Sequence, residues 1–251
     1  MTSSVTRAKK GGGIGETLRT IVYAVLIAVV MRTFLFEPFS IPSGSMLPTL
    51  LVGDYLFVSK FSHGYSRYSF PWGLPLFEGR ILEGEVDRGD VAVFKLPTDN
   101  RTDYIKRIVG LPGDEIQVRE GRLYINGEVV PREKVGEGMV SGLTGFPVKI
   151  TEYVETLPNG VQHRIWERSD SEPLDNTPVY SVPEGHYFAM GDNRDSSQDS
   201  RVQGQVGFVP YENLIGRAEI IFFSHNGSAQ FWEVWKWPSS IRFDRIFNEI
   251  R

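Results

Sequence analysis

Two serine hydroxyls and a lysine have the types and surroundings that could do chemistry in this chain. The stretch PFSIPSGSMLPTLLVGDYL (38–56) holds Ser43, Gly44 and Ser45 among prolines. Proline fixes φ and removes a donor, so the stretch is neither a helix interior nor a central strand. A serine hydroxyl is a weak nucleophile until a base takes its proton. One candidate base is Lys106, in DYIKRIVGLPGD, framed by Tyr104, Ile105, Ile108 and Val109. If its side chain points into a core, desolvation disfavours the ammonium and leaves an amine able to act as a base near neutral pH. If it points outward, it is an ordinary lysine with its stem along the surface. In the first case strand alternation sends Arg107 to the opposite, solvated face.

A third polar cluster is GDNRDSSQDSR (191–201), with Asp192, Asp195 and Asp199 beside Arg194 and Arg201. It lacks the EF-hand pattern and its closing Glu, and two arginines oppose a cation. Mutual Asp–Arg pairing accounts for the charges more economically. The histidines, His63, His163, His186 and His225, are far apart and show no metal-ligand spacing. A Ser-His-Asp triad using His186 stays open, since its members need not be adjacent, but no GxSxG elbow is present. The absence of cysteine excludes disulfides, thiolate metal sites and a cysteine nucleophile. No metal and no cofactor are expected.

These groups must be held by a suitable frame. The chain has 251 residues, 41% of them hydrophobic, enough for one large domain or a core with a satellite. A net charge of −4 gives no basic field for nucleic acid. After Leu50 the pattern is mostly β: DYLFVSKF, DVAVFKL, YIKRIVG and GRAEIIFFS alternate or run apolar. Turn signals stand at Pro112-Gly113-Asp114, Glu120-Gly121 and Asn126-Gly127. Residues 132–180 are more polar, and EKVGEGMVSG and RSDSEPLDNTP read as loops. In the tail, Ser239 or Ser240 could cap a short helix carrying Ile241, Ile246, Phe247 and Ile250. Its tryptophans suit either a membrane interface or packing on the β domain.

Before this body lies an apolar run. Residues 18–36 are long enough for a bilayer of about 30 Å if Arg19 and Arg32 snorkel to opposite interfaces. A retained membrane anchor is the reading adopted. A cleavable signal would want small residues where Phe34, Leu35 and Phe36 stand, and a buried helix is the remaining rival. The basic residues ahead of the run place the N-terminus in the cytoplasm.

PSGSMLPTL, GDYLFV, YIKRIVGLPGD and GDNRDSSQDSR, in this order and after an apolar helix, resemble the motif boxes of type I signal peptidases, the serine–lysine family S26. They cover about a quarter of the chain, and no motif covers 115–185. The resemblance implies that Ser45 is the nucleophile and Lys106 the general base. It also implies an oxyanion hole from the Ser43 hydroxyl and the Ser45 N–H, with Ser197 orienting the lysine and Asp199 and Arg201 as a supporting ion pair. Phe39, Ile41, Leu50, Tyr104 and Ile105 would bind substrate.

The implied fold is mostly β. One N-terminal transmembrane helix precedes a β-rich catalytic domain with a smaller β-rich insertion. The expected organisation is a cytoplasmic segment 1–17, an anchor 18–36, catalytic core 37–114 and 184–225, an inserted cap 115–183 and an aromatic tail 226–251. The implied activity is removal of signal peptides from exported preproteins by a monomer in the inner membrane, with its catalytic domain periplasmic. Preprotein signal peptides and the lipid bilayer are the expected partners, with no nucleic acid. A membrane-anchored β domain that binds envelope components without catalysis is the non-enzymatic alternative. A self-cleaving repressor would need a DNA-binding domain where the apolar run stands.

Overall fold

A computed structural model describes residues 14–70, 77–141, 146–230 and 232–251. Residues 1–13 of the expected cytoplasmic segment lie outside the described residues. The first element is helix α1 (Ile14–Phe34), long and apolar enough to cross a membrane, with nearly all of its side chains exposed. It starts earlier and ends two residues sooner than the apolar run alone implies. Only Leu35 separates it from strand β1 (Phe36–Ser40).

In chain order there follow β2 (Asp54–Ser59), β3 (Tyr65–Ser66), β4 (Arg80–Ile81), β5 (Val91–Lys95), β6 (Asp103–Gly110), β7 (Glu115–Arg119), β8 (Arg122–Ile125) and β9 (Glu128–Val129). Then come β10 (Arg132–Ser141), β11 (Pro147–Thr156), β12 (Gln162–Glu167), β13 (Tyr180–Ser181), β14 (His186–Met190), β15 (Val209–Pro210) and β16 (Leu214–Ser224). A seven-stranded antiparallel sheet runs β1-β2-β16-β5-β6-β14-β15. Pro38 is tolerated because β1 is its edge strand. The chain leaves this sheet after β6 and rejoins it at β14. In between it forms the sheets β10-β11-β12 and β13-β7-β8-β9.

The alternating side chains of β5 show why this sheet is dry on both faces. Val91 and Val93 join a core with Ile41, Met46, Leu50, Leu56 and Val58, whereas Ala92 and Phe94 join one with Ile108, Ala189 and Val209. A third core ties Val109, Phe188 and Met190 to Ile116, Leu123 and Ile125 of the intervening segment.

The sequence-read hairpin turns sit where their residues permit. Glu120-Gly121 and Asn126-Gly127 take φ of 47° and 68°, and 55° and 80°. Those are the left-handed pairs that two-residue hairpins need. EKVGEGMVSG differs from its reading as a loop: apart from Gly142, which is not described, it belongs to β10. Its side chains are largely exposed, and it is ordered by its ladder with β11 rather than by a buried face.

The tail also differs. Its helix α2 is four residues, Trp237–Ser240, and Ser239 and Ser240 lie inside it. Residues 241–250 instead run along β16, with Phe247 N–H donating to Ile221 O (2.7 Å), Ile221 N–H to Asn248 O (3.0 Å) and Ile250 N–H to Glu219 O (2.9 Å). β5 covers only the first part of β16, and the tail satisfies the backbone left open beyond it.

Candidate active site

The serine loop is pinched at its base. Ile41 N–H donates to Asp54 O (2.8 Å) and Gly53 N–H to Ile41 O (2.9 Å), with Gly53 at φ 90°. Met46 and Leu50 are wholly buried beneath it. Leu50, expected to bind substrate, therefore belongs to the core under the site and is not among the residues that line the cleft above it. The loop turns through the short stretch above those anchors, which leaves Ser45 at the surface of the core, 9% exposed.

Lys106 approaches from β6. Its Nζ lies 2.7 Å from Ser45 Oγ, and it donates to the Ile105 carbonyl at 2.9 Å. It is 4% exposed, and the Tyr104 ring centroid is 5.2 Å from its nitrogen. Burial lowers its pKa from 10.5 to about 8, against the opposing pull of the Asp199 and Asp192 carboxylates. The Lys106 amine bonds to Ser45 and to the Ile105 carbonyl, and no hydrogen bond joins it to Ser197, the residue expected to orient it. Ser197 is buried next to Gly191, where any Cβ would clash with the Ser197 side chain and with Ser45 O.

The polar loop is the clamp that holds this pair. Asn193 N–H donates to Ser45 O (3.0 Å) and Asn193 Nδ2 to Gly44 O (2.9 Å). Thr49 Oγ1 donates to Asp192 Oδ2 at 2.5 Å. Asp199 takes the Gly191 N–H at 3.0 Å and pairs with Arg201 through two bonds of 2.9 Å. Burial alone would raise the Asp199 pKa, but Arg201 outweighs it and holds the group ionised.

The pairing within GDNRDSSQDSR is thus internal only for Asp199 and Arg201. Arg194 pairs with Glu155 of β11, and Asp195 accepts the Arg168 N–H at 2.6 Å. Asp192 pairs with Arg107 at 2.9 and 2.7 Å.

Arg107 is the plainest correction. It is fully buried, not solvated, and also donates to Gly89 O (2.7 Å) and Arg251 O (3.1 Å). The intervening sheets and the tail cover the face that strand alternation assigns to water. Those sheets also buttress the loop directly: Trp166 N–H of β12 donates to Asp192 O at 2.9 Å.

A cleft of about 390 Å³ opens over the Ser45–Lys106 pair. Phe39, Ile41, Tyr104 and Ile105 line it, with Ser43 at the exposed lip of the same loop. Val93 and Gln198 also line it, and no reading of the sequence singled them out. Nor did it single out Asn193 or Thr49, although both stand inside the quoted motifs. Their signal was position within a motif, which residue chemistry alone does not rank. His186 lies on β14 with its Nδ1 2.9 Å from Glu184 O, and the nitrogen beside Ser45 is that of Lys106.

Comparison with known proteins gives the family of the chain. A family model described as signal peptidase, peptidase S26, matches residues 14–223. A signal peptidase I of Rickettsia typhi (strain ATCC VR-144 / Wilmington) is 39% identical over 94% of each chain. That of Rickettsia conorii (strain ATCC VR-613 / Malish 7) is 40% identical over 91% of this chain and 90% of its own. That of Rickettsia canadensis (strain McKiel) is 39% identical over 98% and 97%. A solved signal peptidase I from Enterococcus faecalis V583 is 29% identical, covers 53% of this chain and 96% of that one, and has a TM-score of 0.30. With its mostly β body, single N-terminal apolar helix and matched sequence, the chain belongs to the signal peptidase family, peptidase S26, and is a serine protease.

Proposed function

We propose that this protein, anchored in a membrane by α1, removes signal peptides from exported preproteins with Ser45 as nucleophile and Lys106 as general base. The 2.7 Å approach of a buried, carboxylate-free lysine amine to the Ser45 hydroxyl carries the reading. In the neutral state Lys106 Nζ accepts the Ser45 proton as Oγ attacks the scissile carbonyl. The Ser43 hydroxyl and the Ser45 N–H receive the negative charge that develops on the carbonyl oxygen. The Lys106 ammonium then protonates the leaving amine, and the C–N bond breaks. Lys106, neutral again, takes a proton from water as it attacks the acyl–serine ester; the ester C–O bond then breaks and the Lys106 ammonium returns the proton to Ser45 Oγ.

The substrate lies extended in the cleft as an added strand, donating and accepting main-chain hydrogen bonds while alternate side chains enter the pockets. The apolar lining by Phe39, Ile41, Val93 and Ile105 suits small side chains at the first and third positions before the cut. Asp199 and Arg201 support the lysine wall. The N-terminus is cytoplasmic and the catalytic body lies across the bilayer, where the cleavage sites of exported chains emerge.

The test is cleavage of a purified preprotein by the full-length enzyme, followed by mass spectrometry of the new N-terminus. Ser45→Ala and Lys106→Ala, folded as judged by circular dichroism, are expected to leave the preprotein intact. Substantial cleavage by either variant overturns the assignment. Digestion of the body by protease added to spheroplasts would refute a cytoplasmic body; protection of the body there would refute this orientation.

A further inference from the structure

The anchor and the wall of the cleft are one nearly uninterrupted run of chain. Glu37, Phe39 and Ile41 alternate onto one side along and just beyond β1, and the latter two line the cleft. Glu37 bridges two cations with its two oxygens. Oε1 accepts from Arg32 of the last turn of α1, at 2.9 Å from Nε and 2.6 Å from Nη2. Oε2 lies 2.7 Å from Lys60 Nζ.

Lys60 immediately follows β2 and is 2% exposed. Its amine also donates to Ser69 O (2.6 Å), and its N–H donates to Leu35 O (2.9 Å) at the junction itself. Tyr65 Oη donates to Phe34 O at 2.8 Å, and the Phe34 ring meets those of Tyr65 and Phe70 at 5.9 and 6.1 Å. A buried ammonium is costly unless paired, so this junction resists bending by more than its covalent connection.

We propose that the Glu37–Lys60 pair is a positioning device that fixes the angle and height of the cleft above the bilayer. The inference rests on the membrane-anchored peptidase reading above. The bilayer orients α1, and the pair transmits that orientation to β1. A substrate whose signal helix lies in the same bilayer then presents its scissile bond at one height. Neither residue touches Ser45 or Lys106, so a short soluble peptide, free to approach at any angle, does not need the device.

The test uses the full-length enzyme in vesicles of phosphatidylethanolamine and phosphatidylglycerol, with two substrates. One is a preprotein inserted through its signal helix; the other is a soluble peptide spanning the same cut. Glu37→Gln and Lys60→Gln are expected to slow preprotein cleavage by about tenfold or more, as misplacement by about 1 Å can do, with cuts at neighbouring bonds. Peptide hydrolysis stays near the wild-type rate, and Lys60→Arg retains both activities. Equal losses on the two substrates, or no loss on either, overturn the device.

Should Lys60→Gln fail to fold, Glu37→Gln, which keeps the shape of the side chain, decides. A second readout does not depend on activity. Because the chain has no cysteine, Gln198→Cys gives a single labelling site at the cleft, and energy transfer to a lipid-borne acceptor reads its height. One narrow height that broadens in Glu37→Gln supports the device; identical distributions overturn it. If wild-type enzyme cuts neither substrate, the peptidase reading fails, and the height measurement still judges the device.

Discussion

Two buried lysines, Lys60 at the junction of α1 and the sheet and Lys106 beside Ser45, show how neighbours decide what a buried amine can do. Both stand at or beside strands with apolar neighbours, and both have pKa values lowered first of all by burial. They differ in what the amine touches. Lys60 is in contact with the Glu37 carboxylate, which pulls back toward the charged form. Lys106 touches a hydroxyl and a carbonyl, while its nearest opposing carboxylates are engaged by Arg201 and Arg107. A lysine held against a carboxylate is a tie. One held against a hydroxyl, with the carboxylates occupied elsewhere, can give up its proton near neutral pH.

The largest effect that could break this contrast is loss of the proposed reacting groups. Ser45→Ala, Lys106→Ala and Lys106→Arg are each expected to lower kcat by about 10⁴-fold or more in a peptide assay. Arginine keeps the charge but cannot deprotonate, so it is no substitute for a base. At Lys60 the same change to Arg should leave peptide hydrolysis near wild type. Cleavage by Lys106→Arg comparable to that of Lys60→Arg would erase the distinction.

The pH profile sharpens it. On the proposed mechanism, in which Lys106 works as the neutral amine, kcat/KM should rise about tenfold per pH unit and level off near pH 8, where its pKa lies. Lys60→Arg should show the same limb. A limb that moves with Lys60 rather than with the Ser45–Lys106 pair contradicts the assignment.

Ser43→Ala comes next. Loss of one donor to the oxyanion is worth about 3 kcal/mol, or roughly a hundredfold in kcat, with little change in KM. A large rise in KM at unchanged kcat would instead make Ser43 a binding residue.

The smallest effect is on stability. The native pKa of Lys106 is below its ordinary value, so the folded protein binds this proton less readily than the unfolded chain. Stability therefore rises with pH between about 8 and 10.5, and the full cost is present below pH 8. Lys106→Met should be more stable than wild type at pH 7 by up to about 3 kcal/mol, with the gap closing toward pH 10.5. Lys60→Met has the opposite sign, because it strips Glu37 of its buried partner. Urea titration of both variants in detergent measures the pair, and a common sign would dissolve the comparison.

Much of the site was legible before any fold was known, because the constraints involved are local. Glu120-Gly121 and Asn126-Gly127 announce left-handed hairpin turns through backbone sterics. An apolar run of bilayer length announces α1. The order of the short boxes around Ser45, Lys106 and Asp199 marks the family.

What the residues did not decide is which faces are covered, since that depends on segments far away in the chain. Arg107 reads as solvated by alternation and is dry because two further sheets and the tail close over it. Leu50 reads as a pocket wall and lies beneath the pocket because the serine loop needs a buried foot. β10, with few apolar side chains, becomes a strand because β11 offers it a ladder. The tail gives up its expected helix because β16 leaves backbone groups unpaired where β5 ends. The same dependence separates Lys60 from Lys106: sequence names two lysines, and only tertiary structure sets a carboxylate against one and a serine against the other, which decides where each proton is held.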